Sequence, residues 1–352
     1  MRRLTRRSAI ASALALSACA RDVQSQPIVD TPLKSIASTP VGACLQRHQL
    51  DDPAFAALLT RHYSQITAEW EMKMEYILQD DGRFRFDRPD AIADFARRNG
   101  LRLHGHALIW YSQVMPAFRT LDGQGKRFAD AYRNYILAVA GRYRGVAASW
   151  DVINEAVDDN GVDLRRSAWT DNLGVDEHMI LAFHHAKEAD PNAVLFINDY
   201  NLENNPTKRA TFLRMVERLL KAGAPIGGIG TQSHLGLDVT PPGMCRIALR
   251  DLAGLGLPIH VSELDISFGD KPGAAPLPKL LSRQADLARE LAQAYMDLPR
   301  QQRFAFTVWG VRDRDSWLRG ASGERPWEHP LPLDDAGQPK PMFQALAEVL
   351  SA

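Results

Sequence analysis

Two carboxylates close apolar runs where a buried strand would not tolerate them. In SWDVINEAV, Ser149 to Val157, residues Trp150, Val152 and Ile153 favour a buried strand, yet the run ends in Asn154 and Glu155, polar groups that are costly to bury unsatisfied. In PIHVSELDISF a β-branched run from Ile259 ends in Glu263 and Asp265, two residues apart and therefore on one face of a strand. A pair of carboxyl groups, one giving a proton while the other attacks or activates water, is what cleavage of a glycosidic bond requires. Glu155 and Glu263 are 108 positions apart, so a fold must bring them together.

The elements able to do so recur along the chain. Apolar or β-branched runs lie at 41–45, 65–69, 101–110, 149–155, 193–199, 227–233, 258–264 and 304–310. Segments of helical period separate them. In DEHMILAFHHAKEADP, Met179, Ile180, Phe183 and Ala186 fall on one face, acids stand at the start, and Asp190-Pro191 stops the helix. KRFADAYRNYILAVAGRYRG and KLLSRQADLARELAQAYMDL follow the same pattern. Eight such alternations predict an α/β fold, a single (β/α)8 barrel. A doubly wound dinucleotide fold would want an early glycine fingerprint; GGIGTQ comes sixth and lacks the spacing. In a barrel of this kind the polar residues at the carboxyl ends of the strands share one mouth. Glu69, His106 with Trp110, Asn154 with Glu155, Asn198 with Asp199, Gln232 with His234, Glu263 with Asp265, and Trp309 are expected to converge there, with Asn198 and Asp199 read as turn or helix caps.

The chain has 352 residues, 45% hydrophobic and 24% charged, with zero formal charge, an ordinary globular balance with no basic excess to suggest nucleic acid. Arg2, Arg3, Arg6 and Arg7 precede the apolar run AIASALALSA. That is the pattern of an export signal, too short to span a bilayer as a stable helix. TRRSAI is similar to a twin-arginine signal, and LSAC resembles the lipoprotein processing box, in which Cys19 would carry a lipid anchor; the alternative is simple cleavage after Ala20. The expected organisation is an export signal over 1–20, a polar tether over 21–40 and the catalytic barrel over 41–352, with the mature chain periplasmic, anchored at the outer membrane or secreted. Cys44 and Cys245 alone form no disulfide framework, and no Cys/His cluster has zinc spacing.

Taken in order, GHALIW, WDVINEA, LFINDYN, GIGTQSHL, HVSELDI and FTVWGVRDRDSW resemble glycoside hydrolase family 10, the endo-β-1,4-xylanases, from about Val41 to Phe343. The resemblance implies a retaining endo-xylanase acting on xylan without a cofactor, with Glu155 as acid/base and Glu263 as nucleophile. It sets His234 against Glu263 and Asp265, where a donor favours the ionised nucleophile. Glu155 must carry its proton when substrate arrives, which a dry setting and an ionised partner favour. The same resemblance implies that Asn154 bonds the reacting sugar's 2-hydroxyl and that Lys73, His106 and Gln232 are polar contacts near the cleavage point. It implies that Glu69 and Gln113 reach the next sugar on the non-reducing side, and that Trp110, Trp309 and Trp317 give flat faces to pyranose C–H surfaces. Gln113 and Trp317 also crowd the place of a hexose C6 group, favouring xylose over glucose.

The chain departs from the family pattern at three places. Trp70 stands in TAEWEMKME where an asparagine would bind sugar, Tyr111 where a histidine is common, and His104 where arginine is usual. Two other readings compete. A xylanase-shaped barrel without turnover would bind polysaccharide at the cell surface. His104 and His106, an H-x-H pair on a strand, could bind metal in a metal-dependent hydrolase.

Overall fold

All eight apolar runs are strands. The computed structural model describes residues 31–270, 275–320 and 323–351; the export signal and Cys19 lie outside them. In chain order the strands are β1 (Val41–Leu45), β2 (Gln65–Ala68), β3 (Arg102–Gly105), β4 (Ala147–Asn154), β5 (Val194–Asp199), β6 (Gly228–Thr231), β7 (Ile259–Ser267) and β8 (Arg303–Val308). Each pairs in parallel with its sequence neighbours, and β8 pairs with β1, which closes the ring. Two short extensions join it at the carboxyl end: Ile109–Trp110 alongside β4 and His234–Gly236 alongside β7.

A crossover helix follows each strand. They are α1 (Pro53–His62), α2 (Asp87–Arg98), α3 (Lys126–Arg142), α4 (Glu177–Ala189), α5 (Pro206–Lys221), α6 (Met244–Ala253), α7 (Leu277–Met296) and α8 (Pro341–Leu350). Their starts are written in the sequence. Asp52 caps α1 through the Ala54 N–H and Asn205 caps α5 through the Lys208 N–H, each followed by a proline whose missing N–H costs nothing there. In α4 the buried stripe is His178, Met179, Ala182, Phe183, Ala186 and Ala189, so the expected face is rotated slightly and Ile180 is only half-buried. Leu33–Ile36, within the stretch read as a tether, forms a helical turn whose Leu33 is buried. The Ser38 N–H donates to the Leu350 carbonyl of α8.

The rings of His104, Phe196, His260 and Phe304 pack on one another inside the barrel, so it is not a pore. Trp150 is fully buried on the opposite face of its strand from Asp151, against Tyr143 just after α3. It fits because its neighbour across the β3–β4 pair is Gly105, where any Cβ would overlap the indole. On β6, Gly230 leaves the same kind of room for Asn198 of β5. Cys44 and Cys245 are both buried free thiols.

Candidate active site

Backbone geometry at the strand ends turns the functional side chains out of the wall. Glu155 follows β4 with φ +61°, Asn201 follows β5 with φ +58°, and Ser233 follows β6 with φ +57°. This left-handed region is unfavourable for residues with a Cβ and persists only where neighbours fix it. At Glu155 the fixing contacts are its own N–H to the Asn198 carbonyl, 2.8 Å, and Arg165 Nε to its carbonyl, 3.3 Å. The same lattice carries Glu263, whose N–H reaches the Gln232 carbonyl at 3.0 Å.

Both carboxyl groups line one cleft of about 390 Å3 together with Glu69, Lys73, Trp110 and Gln232. Glu155 Oε2 accepts from Trp110 Nε1 at 2.7 Å, and Oε1 accepts from Gln232 Nε2 at 3.0 Å and Asn154 Nδ2 at 3.1 Å. A proton on Glu155 turns one oxygen into a donor and displaces one of these bonds. Glu263 Oε1 accepts from Asn198 Nδ2 at 2.7 Å, while Oε2 faces His234 Nε2 at 3.3 Å. Asn198 also donates to Asn154 Oδ1 at 2.9 Å and accepts from Ser262 Oγ at 2.8 Å. One amide network therefore ties the two glutamates together.

Electrostatics favour the ionised form of Glu263. Burial would push the Glu263 carboxyl up, but His106 and His234 outweigh it and hold the group below its ordinary range. His234 is the counterpart: burial alone would lower it, and the carboxylates of Asp265 and Glu263 raise it to about 10. Asp265 completes this side, with Oδ1 2.9 Å from His234 Nδ1 and Oδ2 accepting from Trp317 Nε1 at 2.8 Å.

On the side of Glu69 the cleft is drier. Burial raises the Glu69 carboxyl to about 7, against the hydrogen bond from Gln46 and the charge of Lys73. Lys73 is 6% exposed, and its ammonium lies 4.2 Å from the Trp70 ring centre and 4.7 Å from that of Trp110. The ammonium has no hydrogen bond or ion pair among the described residues, and burial lowers its pKa. Its three N–H groups are thus available to a ligand.

The remaining sequence-selected residues divide. His106, Gln232, His234, Trp309 and Trp317 line the cleft; Trp309 is buried, whereas Trp317 is 51% exposed. Asn154 donates to the Glu155 carboxylate and accepts from the Asn198 amide. Gln113 is not among the cleft-lining residues: its Oε1 accepts from the Glu75 N–H at 3.2 Å, bracing the turn that carries Lys73. Asn198, read as a cap, instead holds the Glu263 oxygen; Asp199 does have a structural part, pairing with Lys208 at 2.9 Å and accepting from the Val157 N–H at 3.0 Å. Tyr200 and Asn201 line the cleft as well, and the only sequence signal for them was their place in LFINDYN.

The H-x-H pair does not form a two-ligand metal site. His104 has both ring nitrogens engaged, by Ser149 Oγ at 2.7 Å and Asp151 Oδ2 at 2.9 Å, and His106 Nδ1 meets the same Oδ2 at 2.8 Å. These are hydrogen-bond distances, with no room for a cation between the atoms. His106, Asp151 and Glu263 do approach one another closely, but Asp151 is already shared by the two imidazoles.

Residues 33–349 match the profile of Glycosyl hydrolase family 10. Endo-1,4-beta-xylanase B of Paenibacillus barcinonensis is 34% identical over 315 residues, covering 86% of this chain and 93% of that protein. Endo-1,4-beta-xylanase of Geobacillus stearothermophilus is 36% identical over 327 residues, covering 88% and 95%. The solved family 10 structure from Paenibacillus barcinonensis superposes with a TM-score of 0.83 at 31% identity, covering 90% of this chain and 97% of that one. A xylanase A mutant of P fluorescens subsp. cellulosa in complex with xylopentaose gives 0.82 at 31% identity, covering 91% and 100%. With strand order, strand-end residues and sequence all in agreement, the chain belongs to glycosyl hydrolase family 10.

Proposed function

We propose that the chain is a retaining endo-β-1,4-xylanase. The observation that carries this reading is the pairing of Glu155 and Glu263 from β4 and β7 across one open cleft, with Glu263 kept ionised by His106 and His234. Glu263 attacks the anomeric carbon while Glu155 gives its proton to the leaving glycosidic oxygen; the C–O bond breaks and a glycosyl ester forms on Glu263. Glu155, now a carboxylate, takes a proton from water, whose oxygen displaces Glu263 and restores the original anomeric configuration. Lys73, His106 and Gln232 contribute donors to sugar hydroxyls, and Trp110, Trp309 and Trp317 pack on the sugar faces. The cleft opens at the barrel mouth, which admits an internal stretch of chain.

A single experiment tests substrate, cut position and stereochemistry: linear and branched xylan oligomers are digested and the fresh anomer is read by NMR before mutarotation. The expected result is internal cleavage with a new β-anomer. An α-anomer, or oligomers bound but never cut, removes the retaining mechanism or the enzyme itself. Export rests on the arginine-led apolar run and the LSAC box of the N-terminus. Mass spectrometry of the mature protein tests it, a lipidated Cys19 or a free Arg21 marking the two processing routes and an intact Met1 refuting both.

A further inference from the structure

Trp70 borders two cavities. On one side is the catalytic cleft with Glu69, Lys73 and Trp110. On the other is a separate groove of about 550 Å3 whose lining includes Arg47, Asp51, Tyr76, Asp87 and Arg88. The turn after β2 builds the partition: Glu69 lines the cleft, Trp70 both cavities and Glu71 the groove. Gln46 crosses it, lining the groove while its side-chain amide donates to Glu69 Oε2 at 3.0 Å. The groove therefore begins where the cleft ends, on the Glu69 side.

Its chemistry selects a class of ligand. Arg47 pairs with Asp51 at 2.8 Å, and Asp87 stands 3.6 Å from Arg85. The lining carries three carboxylates, Asp51, Glu71 and Asp87, against the two guanidiniums of Arg47 and Arg88, so no positive excess draws an acidic branch. The same lining holds two rings, Trp70 and Tyr76, whose centres are 6.3 Å apart and tilted by 34°. The Lys73 ammonium, 4.2 Å from the indole centre, fixes that partition from the cleft side. Uncharged sugars, with hydroxyl rims and apolar C–H faces, suit such a wall.

We propose that Trp70 and this groove form an added binding region for unbranched xylan beyond the Glu69 end of the cleft, with the indole and the Tyr76 ring packing on sugar faces. The region lengthens the chain held during cleavage, and the proposal rests on the xylanase reading above.

The test reads binding without turnover. Linear xylo-oligosaccharides of increasing length are titrated calorimetrically into Glu263→Gln protein, and into the same protein carrying Tyr76→Ala or Arg88→Ala, two positions outside the cleft. Affinity is expected to keep rising as sugars are added, and Tyr76→Ala to remove about three- to tenfold of the rise, Arg88→Ala less. Affinity that does not climb with length, or a loss from Tyr76→Ala equal at every length, overturns the proposal. Glucuronic-acid-branched oligomers that bind more tightly than bare ones, with the gain lost in Arg88→Ala, overturn the assignment to neutral chains. Active protein on the same oligomers keeps the two failures apart: cleavage with flat length dependence discards the groove alone, whereas binding that climbs with length without any cleavage discards the enzyme reading and leaves the groove.

Discussion

The mouth of the barrel and the layer beneath it contain the same kinds of groups and differ in who can reach them. In the lower layer Asp151, His104, His260 and Gln65 are sealed in, and among the described residues Asp151 Oδ1, His260 Nδ1 and Gln65 Oε1 find no hydrogen-bond partner. One layer up, the Lys73 ammonium also lacks a hydrogen-bond partner among the described residues, and it lines the open cleft. Polar groups are packed against one another in one place and open to a ligand in the other. His106 joins the layers: its Nδ1 is held by Asp151 below, and its ring lines the cleft above.

Removing groups from the mouth should cost turnover. Glu263→Ala is expected to lower kcat by about 10⁴-fold or more, measured as reducing ends released from xylan. Glu155→Ala should lose about 10²–10⁴-fold, and less on an aryl xyloside whose leaving group needs no proton. Retention of activity by either variant would dissolve the distinction between the two layers, since the mouth would then contain no chemistry.

The lower layer had the less legible sequence. Strands were readable because an apolar run that ends abruptly in polar residues fits a barrel strand opening onto a mouth and little else, and the two glutamates were found by that pattern alone. His104 and His106 were visible as an i, i+2 pair on one face, but their partner depends on register: β3 pairs with β4 so that His104 lies beside Ser149, and Asp151 comes within reach of both rings. Local sequence does not encode that register. The same holds for Asn198, whose hold on Glu263 requires Gly230 to clear space and Ser262 to supply a donor. Gln113 has a local role that its residue type does not announce, its Oε1 accepting the Glu75 N–H. Trp70 was noticed as a departure, yet the cavity on its far side is formed by residues from three separate stretches of chain.

If the lower layer is structural, its largest lesion should appear in unfolding. Asp151 is buried, and although burial would raise its carboxyl, the two imidazoles hold it well below the usual range. Asp151→Ala leaves His104 and His106 without that acceptor, and breaking a buried pair in this way costs about 3–5 kcal/mol. Urea unfolding should show a lower midpoint with an unchanged slope. A cost below about 1 kcal/mol would mean that the two histidines re-pair with little penalty.

The smallest expected effect is the most diagnostic, because it moves a pH limb without removing chemistry. Glu263 has a depressed folded value, so its contribution to stability is present above its unfolded pKa and is lost as pH falls through the folded one. His234, raised to about 10, behaves oppositely: its contribution is full below about 6.5 and is lost as pH rises through about 10. His234→Ala removes a charge and a donor 3.3 Å from the Glu263 oxygen, so the acid limb of kcat/KM should move to higher pH as the nucleophile becomes harder to ionise. Wild-type activity should also show no alkaline limb from His234 until the pH nears about 10. An acid limb that stays in place in His234→Ala would assign the control of Glu263 to His106 alone, and with it to the carboxylate one layer down.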